Sequence, residues 1–311
     1  MMSKTAAEPL VRISKREGAT FVQKVLVRAI AILLALVVDA FFIFFVTGLN
    51  PISVYGVMWN GTFMNTTRFS WALRDLSTLL CIAIALAPAF KMRFWNIGGE
   101  GQVLIGGVTS AAMMIYLGNS LPPVVLFPLM FLGSAAAAMI WGVIPAFFKA
   151  YWNTNETLFT LMLNYVAMQV VTFCIVYWEN PAGSNSVGII NAPTRAGWLP
   201  QLFGLDYGWN LAIVLLLTVL MFIYMKRTKH GYEIAVVGES ENTARYAGIN
   251  VGKVIVRTVG ISGGIAGIAG FILVSGSSHT ISTSTAGGRG FTAIIVAWLA
   301  KFNVWAMAVI A

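Results

Sequence analysis

The chain has 311 residues, 58% of them hydrophobic and only 10% charged, and a formal net charge of +9. Soluble domains carry about 25% charged residues, so this chain could not cover a water-facing surface and reads as an integral membrane protein. Its Lys and Arg residues cluster beside apolar runs, a pattern of membrane orientation that argues against nucleic-acid binding.

Residues 1–24 form a basic arm expected to be cytoplasmic, and the first apolar run follows over 25–47. That run is not read as a cleavable signal peptide, because its basic lead is long and no small-residue cleavage site follows it. Asp39 interrupts it. An aspartate at mid-span costs about 2.5–3.5 kcal/mol, whereas each Leu, Ile, Val or Phe returns about 0.3–0.6. Thirteen such residues lie between Ile30 and Val46, so the segment still inserts. With no partner visible in the sequence, Asp39 reads as a buried structural pairing rather than a transport group. Residues 48–70 and 179–208 are polar outer loops rich in Gly, Pro, Asn and Trp.

Further spans of about 20 apolar residues are expected near 71–90, 95–117, 123–148, 157–178, 209–225, 254–274 and 291–311. The expected fold is therefore all-α and polytopic, with about eight transmembrane helices. Lys301-Phe302-Asn303 suggests a short turn breaking the last one. With the N-terminus inside, fifteen basic residues fall on the inner side, against four outside (Arg68, Arg74, Arg195 and Arg289), with Lys301 left over within the last span. That asymmetry supports a cytoplasmic N-terminus. Residues 25–311 make up one membrane domain, with a cytoplasmic loop at 226–253.

Catalytic patterns are missing. The sequence contains no HExxH and no CxxC, and Cys81 and Cys174 sit alone inside apolar runs. Ala247-Gly248-Ile249-Asn250-Val251-Gly252-Lys253-Val254 fails as a phosphate loop at both ends, since that motif needs an initial Gly and a terminal Ser or Thr. The glycines from Gly260 to Gly270 recur every three or four residues, as does the small-residue run Ser134 to Ala138. Close helix packing explains them better than ligand contact.

Polar residues within spans are the functional candidates. Asn96-Ile97-Gly98-Gly99-Glu100-Gly101-Gln102 opens the third span. Asn96 can cap the helix and Glu100 suits its first turn, but three glycines in seven residues also fit a broken or re-entrant helix beside a cavity. Both readings stand. On the fifth span, Glu156, Thr160 and Asn164 are four apart and climb one face, with Asn155 and Thr157 at the foot. Such a stripe either joins helices or lines an aqueous path, and the path is slightly favoured. In the inner loop, Ser240 suits an N-cap, Glu241 a first turn and Gly248 a C′ position. A helix of about two turns is expected there, presenting Ala244, Tyr246 and Ala247 to a partner.

The Asn96–Gln102 segment, Asn155-Glu156 with Leu161-Met162-Leu163-Asn164-Tyr165, the Ser240–Asn250 loop and Gly290-Phe291-Thr292-Ala293-Ile294 together resemble the permease subunits of ABC importers. The resemblance is to the ribose/galactose-like inner-membrane translocators, nucleoside-type branch, and runs from about residue 50 to the end. It implies a multi-pass subunit of the bacterial cytoplasmic membrane, not itself an enzyme, that passes a nucleoside or, next, a simple sugar. Its implied partners are a cytoplasmic ABC ATPase, a second permease subunit and an extracytoplasmic solute-binding lipoprotein. ATP and Mg would be bound by the ATPase, with no cofactor in this chain. Asn96, Glu100, Gln102, Asn155, Glu156, Thr160 and Asn164 become translocation-path candidates. Ser240, Glu241, Ala244, Arg245, Tyr246 and Gly248 become the coupling contact. Family members usually continue for another span, so the C-terminus is expected to be incomplete. The alternative is an ion-coupled secondary transporter in which Asp39 or Glu100 binds a proton or sodium.

Overall fold

The computed structural model describes residues 20–311; the basic arm expected over 1–24 lies, up to residue 19, outside the described residues. Among the described residues the secondary structure is helical apart from one isolated bridge between Leu202 and Leu205. The chain divides into two compact units, one ending at Thr66 and one spanning Thr67–Ala311.

In the first unit, α1 (Phe21–Thr47) is followed by α2 (Pro51–Phe63). Thr20 and Gln23 form a capping box at the start of α1, and left-handed Gly48 ends it. The outer loop expected from residue 48 is instead largely helical. Asn50 caps α2 by accepting from the Ile52 amide and Pro51 stands in its first turn, where its missing N–H costs nothing. Asp39 does have a partner, although an exposed one: the Tyr55 hydroxyl donates to its Oδ2 at 3.2 Å and to the Leu36 carbonyl at 2.7 Å.

The second unit encloses its small-residue helices, packs Phe271, Ile82, Ile84, Leu86 and Leu104 among them, and leaves many other large apolar side chains on its outside. Among the described residues of both units, six helices are long and apolar enough to cross a membrane, including α3 (Thr66–Lys91), α5 (Pro123–Trp152), α6 (Glu156–Trp178) and α7 (Gly208–Arg227). α10 (Val251–Leu273), prolonged by a π-helical turn over Val274–Ser278, is the most enclosed, and the Leu80–Phe90 stretch of α3 is buried throughout. α5, α6 and α7 expose Val, Leu, Ile and Phe to the surroundings. The glycines of α10 serve packing, as expected. A Cβ on Gly267 would strike the Ser134 carbonyl and Ala138 of α5, and one on Gly263 would lie 2.6 Å from the Ala138 carbonyl. Small residues in both helices let the backbones touch, the main source of helix association in lipid.

Three segments depart from simple spans. The third, expected from 95, becomes helical only at Gly99, giving α4 (Gly99–Leu117) after a left-handed turn at Arg93 and a non-helical entry. The last, expected over 291–311, is two short helices, α11 (Arg289–Leu299) and α12 (Val304–Ile310), broken at Lys301 and Phe302, both left-handed. The loop after α7 holds two helices rather than one: α8 (Lys229–Glu239), which the sequence reading missed, and α9 (Glu241–Tyr246). α8 crosses the end of α3 so closely that Gly238 rests on the Lys91 carbonyl.

Candidate functional site

Two helices begin inside the second unit. α6 starts at the end of the bundle that carries α8 and α9: Lys149 at the close of α5 pairs with Glu156 at 3.0 Å, and Gly252, where α10 begins after α9, packs against Ala150 of α5. Asn164 stands eight residues further on, about 12 Å up the helix at 1.5 Å per residue. Its Oδ1 accepts from the Gly101 amide at 2.8 Å, and its Nδ2 donates to the Ile97 carbonyl at 3.0 Å. α4 therefore starts about two turns along α6, inside the bundle, and within a hydrocarbon layer unpaired backbone amides are costly. Its N-cap residue, Gly98, offers no side chain. Asn164, from another helix, takes the capping role.

Each polar residue of the Asn96–Gln102 segment is committed to this frame. Asn96 does not cap α4; its Oδ1 accepts from the Gly98 amide at 3.1 Å, and its Nδ2 donates to the Gln102 Oε1 at 3.3 Å. The Thr160 hydroxyl accepts from the Ile97 amide at 3.1 Å. Asn96, Gln102, Thr160 and Asn164 are all buried. The stripe on α6 thus faces α4, and its polar atoms hold a non-helical backbone inside the bundle. Asn155 stays exposed at the rim, capping α6 through the Leu158 amide at 3.2 Å.

Glu100 is 3% exposed and serves a helix other than its own. Its two carboxylate oxygens accept from the amides of Gly288 and Gly290, each at 2.7 Å. These amides open α11, where the helix dipole favours a negative charge. A Cβ on Gly290 would lie 2.5 Å from the Glu100 amide nitrogen, so only glycine admits this approach. From there α11 runs back to Trp298, which stacks on Trp95 at 5.4 Å. Two discontinuous helices meet at one buried carboxylate.

A second charged group was missed by the sequence reading. Asp75, on α3, receives Arg289 Nη2 at 2.9 Å and Arg74 Nε at 3.1 Å, while the Arg74 guanidinium lies 5.7 Å over the Tyr207 ring. A lone acid within an expected span was the available signal, the same one that drew attention to Asp39. Arg74 and Arg289, counted among the outer cations, are thus tied into the fold through Asp75. Gln169, midway along α6, is exposed beside Tyr165 and Thr172 and makes no hydrogen bond within the described chain.

The loop surface is partly as expected. Ser240 caps α9, accepting from the Thr243 amide at 3.2 Å, Gly248 is left-handed, and Arg245 lies 3.7 Å from Glu241. Tyr246 is 93% exposed. Ala244 is corrected: it is fully buried against the bundle, because the short helix needs an apolar anchor, and it is not available to a partner. Nearby, the buried His230 is hydrogen-bonded by Tyr224 through Nδ1, and burial together with Arg257 pushes its pKa down while Glu233 opposes the shift. No group of three or more His, Cys, Asp or Glu among the described residues could hold a metal ion.

Residues 68–311 match the family described as the permease component of branched-chain amino acid transport systems. The chain is 31% identical over 280 residues to the guanosine ABC transporter permease protein NupP of Bacillus subtilis, covering 88% of this chain and 79% of that one. It is 30% identical over 268 residues to the glucose ABC transporter permease protein TsgB13 of Haloferax volcanii, covering 81% and 68%. Over 288 residues it is 28% identical to the nucleoside ABC transporter permease protein NupB of Lactococcus lactis, covering 89% and 78%. No solved structure matches it significantly.

Proposed function

This chain belongs to the family of ABC permease components, and we propose that the solute it passes is a nucleoside. It is a multi-pass cell-membrane protein and the membrane-spanning permease of an ABC importer, a family that works with an ATPase and a solute-binding protein. The observation that carries the transport reading is the meeting of two discontinuous helices, α4 and α11, at Glu100 inside the bundle. Half-helix ends at membrane depth are where transporters place solutes, because their backbone groups can be turned toward a cavity.

In this reading Asn96, Gln102, Thr160 and Asn164 hold the half-helices that border the path, while Glu100 fixes α11 and Asn155 and Glu156 mark its inner rim. The α6 face with Tyr165, Gln169 and Thr172 does not meet lipid, since an unpaired amide at mid-span is costly. It faces the path or a second permease subunit. The basic loop 226–253 lies in the cytoplasm, and Tyr246 with Arg245 and Gly248 docks the ATPase, which binds ATP and Mg. A solute-binding lipoprotein delivers solute to the opposite side. A simple sugar is the second reading, favoured by the resemblance to a glucose permease.

The test is uptake of labelled guanosine and labelled glucose into proteoliposomes holding the chain with its ATPase, second permease and binding protein. ATP-dependent guanosine uptake, undiminished by excess glucose, is expected. ATP-dependent glucose uptake insensitive to nucleosides would replace the first reading with the second.

A further inference from the structure

Lys301 is out of place in an apolar C-terminal segment, and its turn is built to present it. The Lys301 amide bonds the Trp298 carbonyl at 2.9 Å, the Phe302 amide bonds Ala297 at 3.0 Å, and both residues are left-handed. Gly and Asn adopt that conformation readily, whereas lysine does not. The turn brings Lys301 to Lys91, the last residue of α3, and to Lys226 in the last turn of α7. The three line one cavity of about 220 Å³ with Asn303, Phe222, Met225, Phe302 and Val304. No carboxylate lines it, and none of the three ammonium groups has an ion pair among the described residues. A lysine at a helix C-terminus is favourable singly, but three sharing one cavity repel. Asn303 adds donors, because its Oδ1 is already committed to the Trp305 and Ala306 amides and its Nδ2 makes no hydrogen bond among the described residues.

We propose that this cavity binds the phosphate of an anionic phospholipid at the end of the bundle that carries the basic loop. Three cations and an amide donor suit a phosphate group, and the other half of the lining is apolar. Above it, α7 exposes Leu216, Val219, Leu220 and Ile223, a flank along which acyl chains can lie. Anionic headgroups are concentrated at the cytoplasmic leaflet, where basic pockets between spans take them up. The bound lipid would brace the turn that follows α11, whatever the transported solute.

The full chain in neutral detergent would be titrated with dioleoylphosphatidylglycerol, dioleoylphosphatidylcholine or inorganic phosphate, with native mass spectrometry and thermal unfolding as readouts. The wild type should retain phosphatidylglycerol and gain thermal stability from it, and gain little from phosphatidylcholine. Lys91→Gln/Lys226→Gln/Lys301→Gln should lose about tenfold or more in apparent affinity, since each lysine adds to headgroup attraction. Lys226→Arg/Lys301→Arg should keep binding, and Lys301→Gln alone covers the case in which the triple variant does not fold. Equal retention of phosphatidylglycerol by wild type and the Gln variants overturns the site. Equal protection by inorganic phosphate overturns the lipid assignment.

Discussion

Replacing Glu100 by Gln changes one atom and tests whether the carboxylate holds α11 or touches solute. In the fold, both oxygens accept amide hydrogens at 2.7 Å, from Gly288 and Gly290. A glutamine can satisfy one with Oε1, but its Nε2 then opposes the other N–H. A buried unsatisfied amide costs about 1–3 kcal/mol, and removing a charge from a partly buried helix end costs up to about 2 kcal/mol. The sum, about 1–5 kcal/mol, corresponds to a fall in Tm of roughly 2–20 °C for a unit of this size. The assay is thermal unfolding of the purified protein in detergent beside uptake in proteoliposomes. Glu100→Gln should lower both. An unchanged Tm with lost uptake would refute the clamp and return Glu100 to the path. Wild-type values of both would refute any role for the charge.

Gly267→Val should destabilise by about 1–3 kcal/mol or more, because added carbon overpacks a closed contact against Ser134 and Ala138; a broadened or lowered melting transition checks it. Tyr246→Ala should leave Tm within about 1 °C, as for other exposed substitutions, yet weaken co-purification of the ATPase and ATP-driven uptake, because the ring is exposed on α9. His230 is held below its ordinary pKa of 6.5 by burial and Arg257. The unfolded chain therefore binds this proton at higher pH than the folded one, so its contribution is intact above pH 6.5 and stability falls as pH drops below that value. His230→Gln should flatten this part of the Tm-versus-pH curve.

Much of the site was legible because a bilayer punishes unpaired polar groups. Asn96, Glu100, Gln102, Thr160 and Asn164 stand out in the sequence as polar residues within spans, and the four-residue spacing of Glu156, Thr160 and Asn164 puts these three on a common face. What that face met was not legible. Asn96 looked like a cap for α4, whereas the cap came from Asn164 on α6. Glu100 looked suited to its own helix and instead serves amides nearly two hundred positions away. The α9 signals at Ser240 and Gly248 are local and were readable, but the burial of Ala244 depends on the bundle beneath it.

The sequence by itself determined a membrane protein, the approximate position of most spans, the glycine-lined packing of α10, the break at Lys301 and the family motifs. These follow from composition, period and backbone preference, which act over a few residues. Only the tertiary structure decided that two helices start within the bundle, that Asp75 joins Arg74 and Arg289, and that Lys301 shares a cavity with Lys91 and Lys226. The physical reason is that lipid supplies no hydrogen-bond partners. Each polar group must find one inside the protein, and which one it finds is set by how the small-residue helices pack.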